Sequence, residues 1–244
     1  MSTDTERTLM GIDELLTTPE ESQWIKVLIY GLPGTGKTVF AATAPTPLIV
    51  DVEHGTTSLN NHPTLRTTPV IRYKSSKTLE QVIMEFTKES GETKQFDSLV
   101  IDSFSEFQRR VLDEQLSTNS GNARYIPDMQ AFNLNTNLLR GVAGKLRTLQ
   151  KHVIVTAHVK EEQDQIGRTL YRPDLTPKLA NSLLGMMDVV GYMQMKTVKG
   201  ADNKEKVIRE LTLTPTKSIT AKSRIGGTVI VDPVFDDLLA LLKK

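Results

Sequence analysis

The 244-residue chain contains no cysteine. That one absence removes disulfide scaffolds, thiolate metal sites and cysteine nucleophiles. No run of about 18 apolar residues occurs, the length a membrane-spanning helix needs. The polar N-terminus Met1-Ser-Thr-Asp-Thr-Glu-Arg7 lacks the basic and apolar regions of a secretory signal. These absences predict a soluble, cytoplasmic protein. A dominant sign of charge is missing too, since 30 Lys/Arg face 29 Asp/Glu. The balance hides an asymmetry, because residues 140–225 hold 16 Lys/Arg against 8 Asp/Glu. Such a stretch suits a polyanion-facing surface or an ordinary solvated one. There is no internal repeat and no low-complexity tract.

What is present is an ordinary globular composition, 38% apolar and 24% charged. The length fits one large domain, since single cores stop growing near roughly 250–300 residues. Residues 1–23 read as a polar N-terminal arm with a small apolar cluster at Leu9, Met10, Ile12, Leu15 and Leu16, and 24–244 as a single domain. Short apolar runs predict strands over 25–30, 48–51, 70–73, 98–102, 152–157 and 189–195. Between them, helical spacing predicts helices over 37–44, 76–89, 104–116, 128–149, 178–186 and 235–242. Polar stretches follow two of these elements, over 117–128 and 159–177. Val207–Leu213 and Ser218–Lys222 alternate as antiparallel strands do, with Gly200 in a turn. Strands alternating with helices predict an α/β fold with a mainly parallel twisted sheet covered on both faces, ending in an antiparallel hairpin.

Gly31-Leu-Pro-Gly-Thr-Gly-Lys-Thr38 matches the phosphate-loop pattern G-x-x-x-x-G-K-[ST] in full, between a strand and a helix start. Gly34 and Gly36 let the backbone of the loop turn its N–H groups toward one centre. The loop residues Gly31, Pro33, Gly34, Thr35, Gly36, Lys37, Thr38 and Val39 would cradle the phosphates of ATP at a helix start. Lys37 places a charge on the β- and γ-phosphates, and the Thr38 hydroxyl can ligate Mg²⁺. Asp102 closes the strand Leu99-Val-Ile-Asp102 and is the acid to hold the metal's water shell, or else a helix cap. Glu53 lies just past the end of a strand, at the edge where open α/β sheets bind ligands. There it could align the attacking water, or be a surface acid.

The order of these motifs resembles RecA. Asp51-Val-Glu-His54 is similar to the RecA segment whose Glu positions the hydrolytic water, and Val100-Ile-Asp-Ser103 to its metal-binding strand. Thr156-Ala-His158 occupies the place of the RecA γ-phosphate sensor. The chain from about 24 to 230 looks like a minimal RecA core, and resembles phage-encoded RecA-like ATPases of the single-strand annealing class. The resemblance implies catalytic roles for Glu53, Lys37 and His158. It also implies that Lys222 and Arg224, two apart in Ala221-Lys-Ser-Arg224, reach a neighbouring subunit's nucleotide. It assigns single-stranded DNA to the two polar loops, through Arg124 and Tyr125 in the first and Lys160, Arg168, Tyr171 and Arg172 in the second. Cations with aromatic faces are what single strands require, though Glu161, Glu162 and Asp164 dilute the second loop.

The expectation is therefore an Mg²⁺-dependent ATPase that assembles as a ring or filament in a bacterial host cell. It would bind single-stranded DNA, anneal or exchange strands, and take a single-strand-binding protein as a further partner. Two other classes fit the phosphate loop: a small-molecule phosphotransferase with Arg168 and Arg172 in a lid, and a nucleotide-gated loader or switch without DNA activity.

Overall fold

The computed structural model describes residues 23–88, 91–119, 129–199 and 204–243. The predicted arm therefore lies, apart from Gln23, outside the described residues, as do Arg124, Tyr125 and Gly200. In chain order the elements open with β1 (Lys26–Gly31), α1 (Lys37–Ala42), β2 (Pro47–Asp51), β3 (Val70–Arg72), α2 (Ser76–Thr87) and β4 (Ser98–Asp102). Next come α3 (Phe104–Asn119), α4 (Met129–Thr148), β5 (His152–Gln163), β6 (Thr169–Pro173) and α5 (Pro177–Met186). The chain continues with β7 (Val189–Lys199), β8 (Glu205–Thr212), β9 (Lys222–Ser223), β10 (Val229–Val231) and α6 (Phe235–Leu242).

Among the described residues, ten strands form one sheet in the order β10-β8-β7-β1-β5-β4-β2-β3, with β6 on β5 and β9 on β7. Every pair from β7 to β3 along that order is parallel, and the pairs made by β6, β8, β9 and β10 are antiparallel. The central strand β1 is buried at all six positions because both faces of the sheet are covered. Leu28 and Tyr30 point to the layer of α2, α3, α4 and α5, while Val27 and Ile29 point to that of α1 and α6. On the second face Phe40 of α1 meets Phe235 of α6 at a centroid distance of 6.1 Å. Among the described residues no helix is long and apolar enough to cross a membrane.

Two expectations are corrected by the strand pairing. The polar loop expected over 159–177 is instead a β-hairpin and the start of a helix. β5 runs on to Gln163, and Val159–Gln163 pairs with β6 around a turn in which Gly167 takes φ of +76°. Asp164 closes that turn by accepting the N–H groups of Ile166 and Arg168 on its carboxylate. The second correction concerns 218–222, which is not a continuous strand. Ile219 makes an isolated bridge to Tyr171, and β9 pairs with the first residues of β7. The partners of β8 are β7 and β10, the latter a strand that alternation in so short a segment did not reveal.

Candidate active site

The phosphate loop leaves the C-terminal end of β1 and enters α1. Gly34 and Gly36 have φ of +79° and +94°, the left-handed region that costs glycine nothing. Gly31 is required for another reason, since a Cβ there would strike the carbonyl oxygen of Met193 on β7. Thr35 Oγ1 donates to the Leu32 carbonyl at 2.9 Å and closes the loop. The buried ammonium of Lys37 donates to the carbonyls of Gly31 and Leu32 at 3.0 and 2.9 Å. Burial holds its pKa below the ordinary lysine value, against the pull of Asp102 and Glu53.

The ends of β2, β4 and β5 lie beside this loop and supply the rest. Thr38 Oγ1 donates to Asp102 Oδ2 at 2.6 Å, and the Thr156 hydroxyl donates to the other carboxylate oxygen. Asp102 is buried, which pushes its carboxyl up while the two hydroxyl bonds pull it down. Its oxygen beside the Thr38 hydroxyl is the hard donor set that Mg²⁺ takes when phosphates and waters complete its shell. Among the described residues no group of three or more His, Asp or Glu could hold a metal ion by itself. The donors thus fit an ion that binds together with a nucleotide.

Glu53 is placed by backbone bonds. The N–H groups of Val52 and Glu53 donate to the Asp102 carbonyl at 2.7 and 3.3 Å. Asp51 accepts the Gly55 N–H at 3.1 Å and the Thr56 hydroxyl at 2.7 Å, folding the chain back past the strand end. His158 Nε2 donates to Glu53 Oε1 at 2.8 Å, and the His158 N–H donates to Ser105 Oγ at 3.0 Å. The His158 bond, aided by Ser103 and Lys37, keeps the Glu53 carboxyl below its usual range in spite of burial. Glu53 is therefore an anion anchored by His158 and Ser103, with carboxylate lone pairs left for a further hydrogen bond.

Pro33, Gly34, Gly36, Lys37, Thr38 and Val39 line a cleft of about 360 Å³ together with Glu53, Asp102 and His158. The structure thus brings together the loop and all three residues assigned to metal, water and sensing. Lys222 and Arg224 lie elsewhere, since β9 pairs with Val189 and Val190 at the opposite edge of the sheet. Lys222 Nζ donates to the carbonyls of Leu184 and Met187, both at 2.8 Å. Arg224 donates to the Gly185 carbonyl and to Asp188 Oδ1, each at 3.0 Å. The two side chains do face one target, and within this chain it is the C-terminal end of α5.

The hairpin residues are also engaged. Lys160 pairs with Glu162 at 2.7 Å, Arg168 with Asp164 at 2.7 Å, and Arg172 approaches Glu162 at 3.8 Å. Tyr171 stacks on Tyr192 with centroids 5.2 Å apart. None of the four lines the phosphate cleft.

Three participants escaped sequence reasoning. Asp51 and Thr156 sat inside recognised motifs, but their hydrogen bonds needed the strand ends to be neighbours. Arg209 of β8 had no local signal at all. Its side chain lies across the phosphate loop, so that a Cβ on Gly36 would come within 3.0 Å of its Cδ and 3.2 Å of its Nη1.

A glycine-rich phosphate loop at the C-terminal edge of a mainly parallel sheet, with acids at neighbouring strand ends, defines an α/β P-loop NTPase domain. The family model described as AAA domain matches residues 23–225, and the chain belongs to that family. Among solved structures it is similar to the flagellar accessory protein FlaH from Methanocaldococcus jannaschii. That match has 15% identity and a TM-score of 0.40, covering 85% of this chain and 84% of that one. No curated protein matches the sequence.

Proposed function

We propose that this protein is an Mg²⁺-dependent ATPase that works as a homo-oligomer on single-stranded DNA, in annealing or strand exchange of the phage type. The observation that carries the hydrolytic part is the Glu53–His158 pair beside Lys37, Thr38 and Asp102. Lys37 would exchange its two carbonyl partners for oxygens of the β- and γ-phosphates. Mg²⁺, held through Thr38 and Asp102, would neutralise developing charge on those oxygens. Glu53, kept anionic, would accept a hydrogen bond from a water and orient it on the γ-phosphate, the kind of positioning that contributes roughly 10²–10⁴-fold. His158, tethered to Glu53, would register whether the γ-phosphate is present. The DNA part is supported by the motif order and by the basic excess of residues 140–225. Supply of Lys222 or Arg224 to a neighbour would require them to leave the end of α5.

ATP hydrolysis measured with and without single-stranded DNA across a salt series tests the reading. Stimulation that fades as salt rises is expected, because phosphate contacts release counterions. A second reading, a nucleotide-gated interaction module, is favoured by one observation: each hairpin cation assigned to DNA has a carboxylate within 4 Å. ATPase indifferent to DNA, with no binding at low salt, would select it.

A further inference from the structure

The sheet edge opposite the phosphate loop carries two adjoining cavities of about 530 and 390 Å³. They adjoin along Trp24, Thr148, Leu149 and Gln150, two halves of a groove that each have the indole in their lining. Trp24 is the chain's single tryptophan. Its ring meets His152 edge-on at 5.0 Å, and Lys151 Nζ lies 5.8 Å from its centroid. The smaller half is lined by Lys88, Lys94 and Lys151 with no carboxylate, and the larger by Lys26, Arg147 and Arg224 with only Asp188.

These cations are not equally available. Lys26 Nζ is spent on the carbonyls of Leu149 and Lys151. Arg224 is paired with Asp188, Lys88 with Glu85, and Lys151 lies 3.8 Å from Asp97. Lys94 and Arg147 are exposed, one in each half of the groove, and neither side chain has a hydrogen bond or ion pair among the described residues. Unspent cations in both halves of a groove, with an aromatic side chain lining each half, suit a flexible chain of phosphates bearing unpaired bases. The volumes fall in the range of small-ligand sites, so each half has room for a nucleotide-sized group.

We propose that this groove binds single-stranded nucleic acid, with Lys94 and Arg147 on its phosphates and a base against Trp24. The proposal rests on the reading of the protein as a single-strand binder, and moves the contact from the hairpin to the opposite edge of the sheet.

The lone indole makes the test direct. Titration of the full chain with an oligothymidylate should quench Trp24 fluorescence, and the quench should weaken as salt rises. Lys94→Glu combined with Arg147→Glu should lower the affinity at least tenfold, while ATP hydrolysis without DNA and the melting temperature stay unchanged. Lys94→Ala alone, a milder change, should lower it less. The contrast is Lys160→Glu with Arg172→Glu on the hairpin, expected to leave both the quench and the affinity as they are. Affinity lost in the hairpin variant, with Trp24 fluorescence unmoved by the oligomer, would overturn the groove and leave the single-strand reading standing. Equal quenching by thymidine monophosphate would mark a mononucleotide pocket and overturn the strand. No binding at low salt would overturn both readings.

Discussion

Removing the ammonium of Lys37 takes from the phosphate loop the one side-chain charge that lies inside it. Lys37→Ala should therefore abolish ATP binding and turnover, with an unchanged circular dichroism spectrum as the check that the fold survives. Glu53→Gln separates binding from chemistry. It keeps the shape but forfeits the carboxylate, so hydrolysis should fall by about 10²–10⁴-fold while nucleotide affinity, read by equilibrium titration, stays within a few fold. His152 supplies a pH signature unrelated to catalysis. Its imidazole lies between Trp24 and Phe235 and accepts the Ile25 N–H on Nδ1 at 3.2 Å. Burial, with Lys26 nearby, lowers its pKa from 6.5 to about 4. The unfolded chain then takes up a proton between those values that the folded chain refuses. The stability is complete above pH 6.5 and falls as pH drops toward 4. Urea midpoints measured at pH steps through that window should fall, and should flatten in His152→Asn.

Among the elements, α6 is the best case of a helix held by packing rather than by its own propensity. It has eight residues, too few to persist alone. Phe235 and Leu238 anchor it, and the Phe235 N–H donates to Thr43 Oγ1 at 2.8 Å. Phe235→Ala should cost about 3–5 kcal/mol, seen as a lowered urea midpoint with an unchanged phosphate loop. At the end of α5, Lys222 satisfies carbonyls that the helix leaves without partners. Lys222→Ala should cost roughly 1–2 kcal/mol even in dilute protein where no neighbour is present. Stability unaffected there would show that the cap contributes nothing and free the residue for a neighbour. The hairpin of β5 and β6 was legible in principle. Asp164-Gln-Ile-Gly-Arg168 carries the Asp and Gly of a tight turn, but the polar run around it masked the strand alternation.

At the scale of the whole molecule, the basic excess does not gather at one face. Part of it is paired on the hairpin, part ties off the end of α5 through Lys222, and part, Arg147 and Lys151, lies around Trp24. Net charge counted along a chain says nothing about which carboxylate each cation meets. The same geometry sets the assembly prediction. Arg224→Ala and Glu53→Gln should each be inactive alone, and mixing them should restore partial ATPase activity if Arg224 acts on a neighbour's nucleotide. No recovery in a mixture proven to co-assemble would confine Arg224 to the end of α5.

Local pattern determined the α/β class, the phosphate loop and the strand-end acids Glu53 and Asp102, because each depends on contacts within a few residues. The motif Gly31–Thr38 needs only its own glycines and the helix that follows it. Tertiary structure alone decided what those acids meet. β2, β4 and β5 had to become neighbours before Asp102 could accept Thr38 and Thr156, and before His158 could reach Glu53. It also decided that Lys222 and Arg224 end on a helix terminus and that Arg209 crosses the phosphate loop. Those pairings join residues far apart in sequence, and only the order and register of the strands bring them within hydrogen-bond or van der Waals range.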